Sequence, residues 1–532
     1  TQLRRKNKMT NNNEEIISTL ESKFGDKIQV QRNVLGAAAI IANNNLHHEV
    51  FKTLLEADEK TGISTITGLD LGATFGVYYH VRTSNALFTI KSEVPRDNPK
   101  IKSLIDIHPG AKFHELEVTD LFGVIFQGNE FDGHFVLPET WPDGVYPLRK
   151  DVNANEVKQV PTPQRENNVP AEGRQVKIII GPQHPALLEP EKFSVTVDGE
   201  TVTKVEPRIG YVHRGIEKSA ETRTYLQDIY LVERVCGICN AVHAYTFVGT
   251  VEKIFKADIP PRAQYLRVIA MELNRLHSHL LTLGHAGLEI GYETLFQYFW
   301  RDREPIMDLI ELTSGNRLYG SIMTIGGVRR DITSDQIPKI KTVLSKLRSQ
   351  LPFYRKIYLE EPTLRLRMKD VGVLSREEAL KLSVTGPVAR GSGVDMDVRK
   401  DQPYAAYGEI PFKEIVYNDG DTWARMNVRL DEVEESINII DYAVDHLPSG
   451  PIKIDLPRSV PVGEAVLTIE APRGELIYYV RSNGTDKPER VKIRTPTLSN
   501  IPSFLSTAIG ENIADVPSNF VSLDPCFSCT DR

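Results

Sequence analysis

Two CxxC pairs, Cys236 with Cys239 and Cys526 with Cys529, hold every cysteine of this chain. Four cysteines are far too few to staple 532 residues with disulfides. In a chain of this kind, paired CxxC turns suggest metal or redox chemistry. Four thiolates from two distant turns can surround one metal. A structural zinc site with four sulfur ligands satisfies that pattern, and so do iron–sulfur clusters and nickel, which also take soft thiolates. A zinc ribbon, however, is a local element, and these pairs join the middle of the chain to its last residues. The first pair follows a helical stretch ending in Glu233-Arg234-Val235, and Gly237 is expected to let the backbone turn so that both sulfurs face one point.

A chain of this length should form at least two domains. Residues 1–150 read as a mixed α+β unit: Glu14–Phe24 as an amphipathic helix, Val77–Val81 and Leu87–Lys91 as strands, Ser84-Asn85 as the turn between them. Residues 151–173 are rich in Asn, Pro, Gln and charge and read as a linker. The remainder, 174–532, opens on an apolar segment at Val176–Ile180 and is mainly helical. Leu266, Ile269, Leu273, Leu276, Leu280 and Leu283 recur at spacings of three and four, as do Met426, Leu430, Val433, Ile437, Ile440 and Val444. Each set makes one apolar stripe on a long helix, and two such stripes imply a bundle. Between Val466 and Ile493 the pattern turns β-like, with turns expected at Arg473-Gly474 and Ser482-Asn483-Gly484. The fold class is therefore α+β.

A net charge of −7 gives no reason to expect nucleic acid. No apolar run reaches the roughly 18 residues that a transmembrane helix needs. The stretch Thr1–Lys8 is basic but no apolar core follows it, so it is not a signal peptide, and Met9 is the expected start of the native protein. Gly386–Gly393 contains Gly-x-x-x-x-Gly-x-Gly but lacks the lysine and serine of a phosphate loop.

The residues flanking the cysteines discriminate further. Arg234-Val235-Cys236-Gly237-Ile238-Cys239 with His243, and Asp524-Pro525-Cys526-Phe527-Ser528-Cys529-Thr530-Asp531-Arg532, resemble the two metal motifs of NiFe hydrogenase large subunits, in that order. Gly181-Pro182-Gln183-His184-Pro185-Ala186-Leu187-Leu188-Glu189-Pro190, Gly326-Gly327-Val328-Arg329-Arg330-Asp331 and Glu470-Ala471-Pro472-Arg473-Gly474-Glu475 are similar to motifs of the energy-converting, membrane-bound group 4 branch, which it shares with the complex I quinone-site subunit. His114-Glu115-Leu116-Glu117-Val118-Thr119-Asp120-Leu121-Phe122-Gly123 and Trp141–Asp151 resemble the small peripheral-arm subunit of complex I. Both modules in one chain resemble the large subunit of formate hydrogenlyase.

The resemblance implies a set of roles. Cys236 and Cys526 would be terminal nickel ligands, and Cys239 and Cys529 would bridge nickel to an iron carrying cyanide and carbon monoxide. Glu189 would relay protons, Arg473 would stand over the open position of the metal pair, and Asp524 would frame the same pocket. Without the resemblance, Glu189 reads as a surface carboxylate, Arg473 as a turn arginine and Asp524 as a cap before Pro525. Glu217, in Arg214-Gly215-Ile216-Glu217, falls where related hydrogenases bind magnesium or another divalent ion; those enzymes commonly end in a ligating histidine, whereas Arg532 is a poor ligand because it stays protonated. His243, His277 and His279 are candidates to support the metal ligands, the last two also reading as satisfied core histidines. In quinone-using relatives His184 belongs to a quinone-site loop.

The implied function is reversible proton reduction to H2 in an energy-converting complex. The implied partners are an iron–sulfur small subunit, ferredoxin-like subunits, integral membrane antiporter-like subunits and a maturation protease whose processed product the end at Arg532 resembles. The expected location is the cytoplasmic face of the cell membrane, with the chain held there peripherally. The competing reading is a quinone- or sulfur-reducing complex I-like subunit, which has no evident use for four nickel thiolates.

Overall fold

In the computed structural model, the described residues are 2–42, 45–131, 133–153, 156–161, 175–184 and 187–532. Most of the expected 151–173 linker, and Pro185-Ala186 of the Gly181 motif, lie outside them. The chain is α+β, as its patterning indicates.

The first segment contains α1 (Gln2–Phe24), β1 (Ile28–Arg32), β2 (Ala38–Ala42), α2 (Leu46–Ala57), β3 (Gly62–Asp70), β4 (Thr74–Arg82), β5 (Leu87–Pro95), β6 (Lys100–Lys102), α3 (Lys112–Phe122) and β7 (Ile125–Gln127). The five larger strands form one sheet in the order β1-β2-β5-β4-β3, antiparallel except for the β2–β5 pair. The expected hairpin is β4–β5. Its turn is closed by Thr83 N donating to Ala86 O at 2.8 Å and by Asp58, which accepts from the Ser84 amide and hydroxyl. Alternation along β4 sorts its side chains onto two faces. Phe75, Val77, Tyr79 and Val81 join the core beneath α2 and α3, whereas Tyr78 points the other way and meets Tyr479 edge-on at 6.2 Å. The sheet is packed on both faces, and β14 and β15 contact its edge strand β3, which explains why β3 and β4 are almost wholly buried.

The second segment begins with the antiparallel meander β8 (Gln175–Ile180), β9 (Lys192–Asp198) and β10 (Thr201–Arg208). Then come α4 (Ile216–Ala220), α5 (Tyr225–Glu233), α6 (Asn240–Phe255), α7 (Pro261–Glu289), α8 (Glu293–Ser314), the short hairpin β11 (Met323–Thr324) and β12 (Gly327–Val328), α9 (Gln336–Glu360), α10 (Pro362–Met368), α11 (Arg376–Lys381), α12 (Gly386–Gly391), α13 (Val398–Asp401) and α14 (Thr422–Asp445). A second meander, β13 (Gly463–Ala471), β14 (Gly474–Ser482) and β15 (Pro488–Arg494), precedes α15 (Pro496–Thr507), α16 (Val516–Ser522) and α17 (Phe527–Asp531). Both expected turns of this meander occur, with Gly474 and Gly484 at φ +128° and +93°.

The two apolar stripes lie on α7 and α14, and every residue of both is buried. Pro261 starts α7, where the missing amide costs nothing. Asp421 caps α14 by accepting from Ala424 N at 2.8 Å. Both helices depart from the expected one-sided pattern, because their charged faces are buried as well. Glu272 pairs with Arg275 and Arg399 at 3.2 Å each, Arg390 pairs with Glu432 at 2.7 Å and Glu470 at 2.8 Å, and Arg399 pairs with Asp397 at 2.6 Å. Buried charges persist only when paired. Here the pairing fixes the end of β13, since Glu470 directly precedes Ala471-Pro472-Arg473. The two segments also share an apolar core. Residues from Ile16 to Leu148 pack in one cluster with Phe193, Leu498, Phe504, Phe520 and Phe527. No helix among the described residues is long and apolar enough to cross a membrane.

Candidate metal centre

Local sequence shapes each cysteine turn. Helix α5 opens with a capping box between Thr224 and Gln227 and ends at Glu233. The chain then turns through Cys236–Cys239 into α6, with the Ile238 and Cys239 amides aimed at Cys236 Sγ at 3.3 and 3.4 Å. Gly237 does not take a positive φ, and the backbone still turns so that the sulfurs of Cys236 and Cys239 face one point. In the second motif the left-handed residue is Asp524, at φ +55° before Pro525. Cys526 then heads α17, with its amide donating to Thr497 Oγ1 at 3.2 Å.

The two turns meet. Cys236 Sγ lies 3.4 Å from Cys526 Sγ, and Cys239 Sγ lies 3.3 Å from Cys529 Sγ. All four cysteines are buried and free, well beyond the roughly 2 Å of a disulfide. The sulfurs of Cys236, Cys239 and Cys529 all fall within 4.8 Å of one another. Arg214 ties the turns together: its guanidinium donates to the Arg234 carbonyl at 3.0 Å, to the Val235 carbonyl at 3.1 Å, and to the Ser528 carbonyl. Residues 210–216 clamp the far end of the second motif. The Gly210 and Val212 amides donate to Asp531 Oδ2 at 2.9 and 3.0 Å, and the Arg214 amide donates to the Arg532 carbonyl at 3.2 Å.

Four thiols this close cannot all ionise unaided. Sulfur–hydrogen bonds from Cys236 and Cys529 bring Cys239 down to about 6. Its bond to Cys236 pushes Cys526 up to about 11, and burial together with the neighbouring sulfurs pushes Cys529 up as well. Four buried sulfur donors that hold at most part of their negative charge alone are the chemistry of a cation cage. The donor set fits soft transition metals, nickel and iron among them.

Arg473 stands beside the cage. Although burial opposes its charge, the Asp524 carboxylate and the sulfurs of Cys526, Cys236 and Cys239 keep it firmly protonated. Its Nε donates to the Asp524 carbonyl at 2.8 Å and its Nη2 to Asp524 Oδ1 at 2.7 Å. Asp524 is thus the carboxylate that orients Arg473, beyond any capping of the turn. The Arg473-Gly474 turn presses against Gly386, at φ +66°. A Cβ there would come within 2.4 Å of Gly474 Cα and 2.5 Å of the Arg473 carbonyl. Gly386, the first glycine of the 386–393 run, therefore seats this turn. A small cavity lies between Cys239, Cys529, His243, Pro472, Arg473 and Thr497.

Glu189 reaches the cage from the side. It is half-buried, next to exposed Leu188. Its Oε2 accepts from the Ser528 amide at 2.7 Å and its Oε1 from the Ser528 hydroxyl. Ser528 Oγ in turn lies 3.6 Å from Cys526 Sγ. Burial, and then the neighbouring Cys526, raise the Glu189 pKa. His243 accompanies the cage, with Nε2 3.6 Å from Cys529 Sγ and Nδ1 2.7 Å from the Tyr478 hydroxyl. His277 and His279 are core histidines, paired with Arg303 at 2.9 Å and with Glu432 at 2.7 Å.

Glu217 lies apart from the cysteines, among Arg490 at 2.8 Å, Arg532 at 3.1 Å and Lys492 at 3.8 Å. The patterning points to Arg532 but not to Arg214, Ser528, Tyr478, Arg490 or Lys492. Ser528 and Arg214 do stand inside the motifs, but nothing in their spacing reveals what they touch.

Family models match along the chain: the 30-kDa subunit of respiratory-chain NADH dehydrogenase over residues 40–158, nickel-dependent hydrogenase over 214–286, and the 49-kDa subunit of respiratory-chain NADH dehydrogenase over 289–461 and 457–532. Membrane-bound hydrogenase subunit alpha of Pyrococcus furiosus is 41% identical over 67% of this chain and 87% of its own length. Formate hydrogenlyase subunit 5 of Escherichia coli is 35% identical over 88% of this chain and 84% of its own. A chain of an archaeal membrane-bound sulfane sulfur reductase superposes with a TM-score of 0.66 at 33% identity, over 68% of this chain and all of that one.

Proposed function

Since the chain belongs to the family of energy-converting, membrane-bound NiFe hydrogenase large subunits of formate hydrogenlyase type, fused behind a complex I 30-kDa-like domain, we propose that this oxidoreductase subunit interconverts protons and H2 at a nickel–iron centre. The observation that carries the reading is the pairing of sulfurs. Cys236 abuts Cys526, the two proposed terminal ligands, and Cys239 abuts Cys529, the two proposed bridges. A bridged two-metal centre needs that pairing, whereas a tetrahedral zinc site needs no distinction among its four sulfurs.

Cys236 and Cys526 would hold nickel alone, and Cys239 and Cys529 would share it with iron carrying cyanide and carbon monoxide. Such a centre supplies the redox and Lewis-acid chemistry that heterolytic H2 cleavage requires. The chain's own residues supply the proton path and the charge. Cys526 Sγ can pass a proton to Ser528 Oγ, whose hydroxyl already donates to Glu189. Glu189, half in solvent, passes it outward; its raised pKa lets it share protons nearer neutrality. Arg473, held by Asp524, keeps a fixed positive charge over the cage and cannot itself take up a proton. Pro472 and Thr497 line the small cavity beside it.

With no cysteine left over for a cluster, electrons would arrive through a separate iron–sulfur subunit. Ferredoxin-like and antiporter-like membrane subunits would complete the assembly on the cytoplasmic face, and a maturation protease would act on the second motif. The 151–173 stretch is proposed to link the 1–150 and 174–532 units. A quinone- or sulfur-reducing role is the second reading, favoured by the NADH dehydrogenase family matches and the sulfane sulfur reductase likeness. Infrared spectra of the purified complex separate the two, together with D2–water exchange. Bands of metal-bound cyanide and carbon monoxide with measurable exchange support hydrogen chemistry. A complex with neither, yet reducing quinone or sulfane sulfur, would replace it.

A further inference from the structure

Five charged side chains meet around the end of the second cysteine motif, all at most 5% exposed: Glu117 from α3, Glu217 from α4, Arg490 and Lys492 from β15, and Arg532. Arg532 Nε is 3.1 Å from Glu217 Oε1, and its Nη2 pairs with Glu117 Oε1. Lys492 Nζ is 2.6 Å from the same Glu117 oxygen, and Arg490 Nη1 is 2.8 Å from Glu217 Oε2. Glu217 Oε1 also accepts the Ile493 amide at 3.0 Å.

The resemblance assigns a divalent ion to Glu217, and this setting does not fit one. Two carboxylates already face three cations, leaving the cluster at +1. A divalent ion would raise it to +3 in a dry interior, where like charges repel far more strongly than in water. Glu117 Oε2 accepts no hydrogen bond, but an ion there would lie against the Arg532 and Lys492 cations on Oε1, and neither offers a lone pair to complete its coordination.

We propose that Arg532 is the internal cation of this site and takes the place of a divalent ion. Glu117, from the complex I-like segment, is its second counter-ion. The guanidinium joins three parts of the chain: α17 with its cysteine, α4 of the large-subunit segment, and α3 of the N-terminal segment. The N-terminal segment thereby helps to hold the second cysteine motif in register. Glu117 sits in the His114–Gly123 motif, so that motif gains a role within this chain. None of this depends on which metals the cysteines carry.

The test uses the purified full chain and two readouts. Magnesium, manganese and calcium are counted by mass spectrometry in the parent and in Glu217→Gln. The expected count is the same in both, and loss of one ion per chain on substitution would overturn the proposal. The second readout is thermal unfolding of Glu117→Gln, Arg532→Met and the double variant. Each single change leaves a buried charge with one partner fewer, so each should lower Tm, and the double variant should lose less than the sum of the two single losses. Additive losses would overturn the Glu117–Arg532 pairing even where Glu217→Gln fails to fold.

Discussion

Replacing Ser528 by alanine separates a proton wire from a mere positioning contact. The substitution removes one oxygen, the one that lies 3.6 Å from Cys526 Sγ and donates to Glu189 Oε1. The amide of residue 528 remains, with its 2.7 Å bond to Glu189 Oε2, so the carboxylate keeps its place. If Ser528 only helped to seat Glu189, the cost would be that of one hydrogen bond to a charged group, about 1.5–3 kcal/mol of local stability, with chemistry nearly intact. If it carries the proton, the loss should approach that of removing a positioned acid–base group, about a hundredfold to ten-thousandfold in rate. The assay is D2–water exchange at equal nickel content. We expect Ser528→Ala and Glu189→Gln each to slow exchange by about a hundredfold or more, and the double variant to be no slower than the worse single one, since both break the same path. Ser528→Ala exchanging at the parent's rate would take the hydroxyl out of the path. Glu189→Gln doing the same would take out the relay.

Four further outcomes follow from the geometry. Arg473→Met strips Asp524 of the guanidinium bonded to it at 2.7 Å and should cost about 3–5 kcal/mol, read as a lower Tm and loss of nickel on gel filtration; an unchanged Tm would contradict the pairing. Gly386→Ala combines a positive φ with a Cβ 2.4 Å from Gly474 Cα, so nickel content should fall even though no cysteine is touched; a fully loaded variant would show that this turn does not position the site. Arg214→Ala should loosen both cysteine turns and lower nickel content, and a parent-like content would refute the tie. Glu115 is raised to about 7, chiefly by burial. The folded state thus binds more protons than the unfolded one between pH 4.5 and 7, and stability is lost as pH rises through that window, by about 3 kcal/mol in full. Glu115→Gln should flatten this slope in Tm against pH, and an identical slope in both proteins would place the titration elsewhere.

Much of this architecture is legible in the residues themselves. The α7 and α14 stripes, the β4–β5 hairpin and the β13–β15 meander follow from periodicity and turn residues, because local burial patterns decide them. The buried ion pairs of α7 and α14 do not. Patterning reads Arg267, Glu272, Arg275 and Glu432 as solvent-facing, and only tertiary pairing makes their burial tolerable. The parallel β2–β5 pairing is likewise invisible to local signals. At the site, residue types and motif order single out the cysteines, Glu189 and Arg473. The Ser528 bridge and the Arg214 tie depend on residues hundreds of positions apart meeting in space, and no spacing within either motif encodes that.

X-ray absorption at the nickel edge of the matured protein reads the metal's neighbours. The expected result is nickel with a shell of sulfur neighbours from both cysteine pairs and one iron beyond it. Zinc in nickel's place, or nickel bound by nitrogen and oxygen with no iron neighbour, would contradict it.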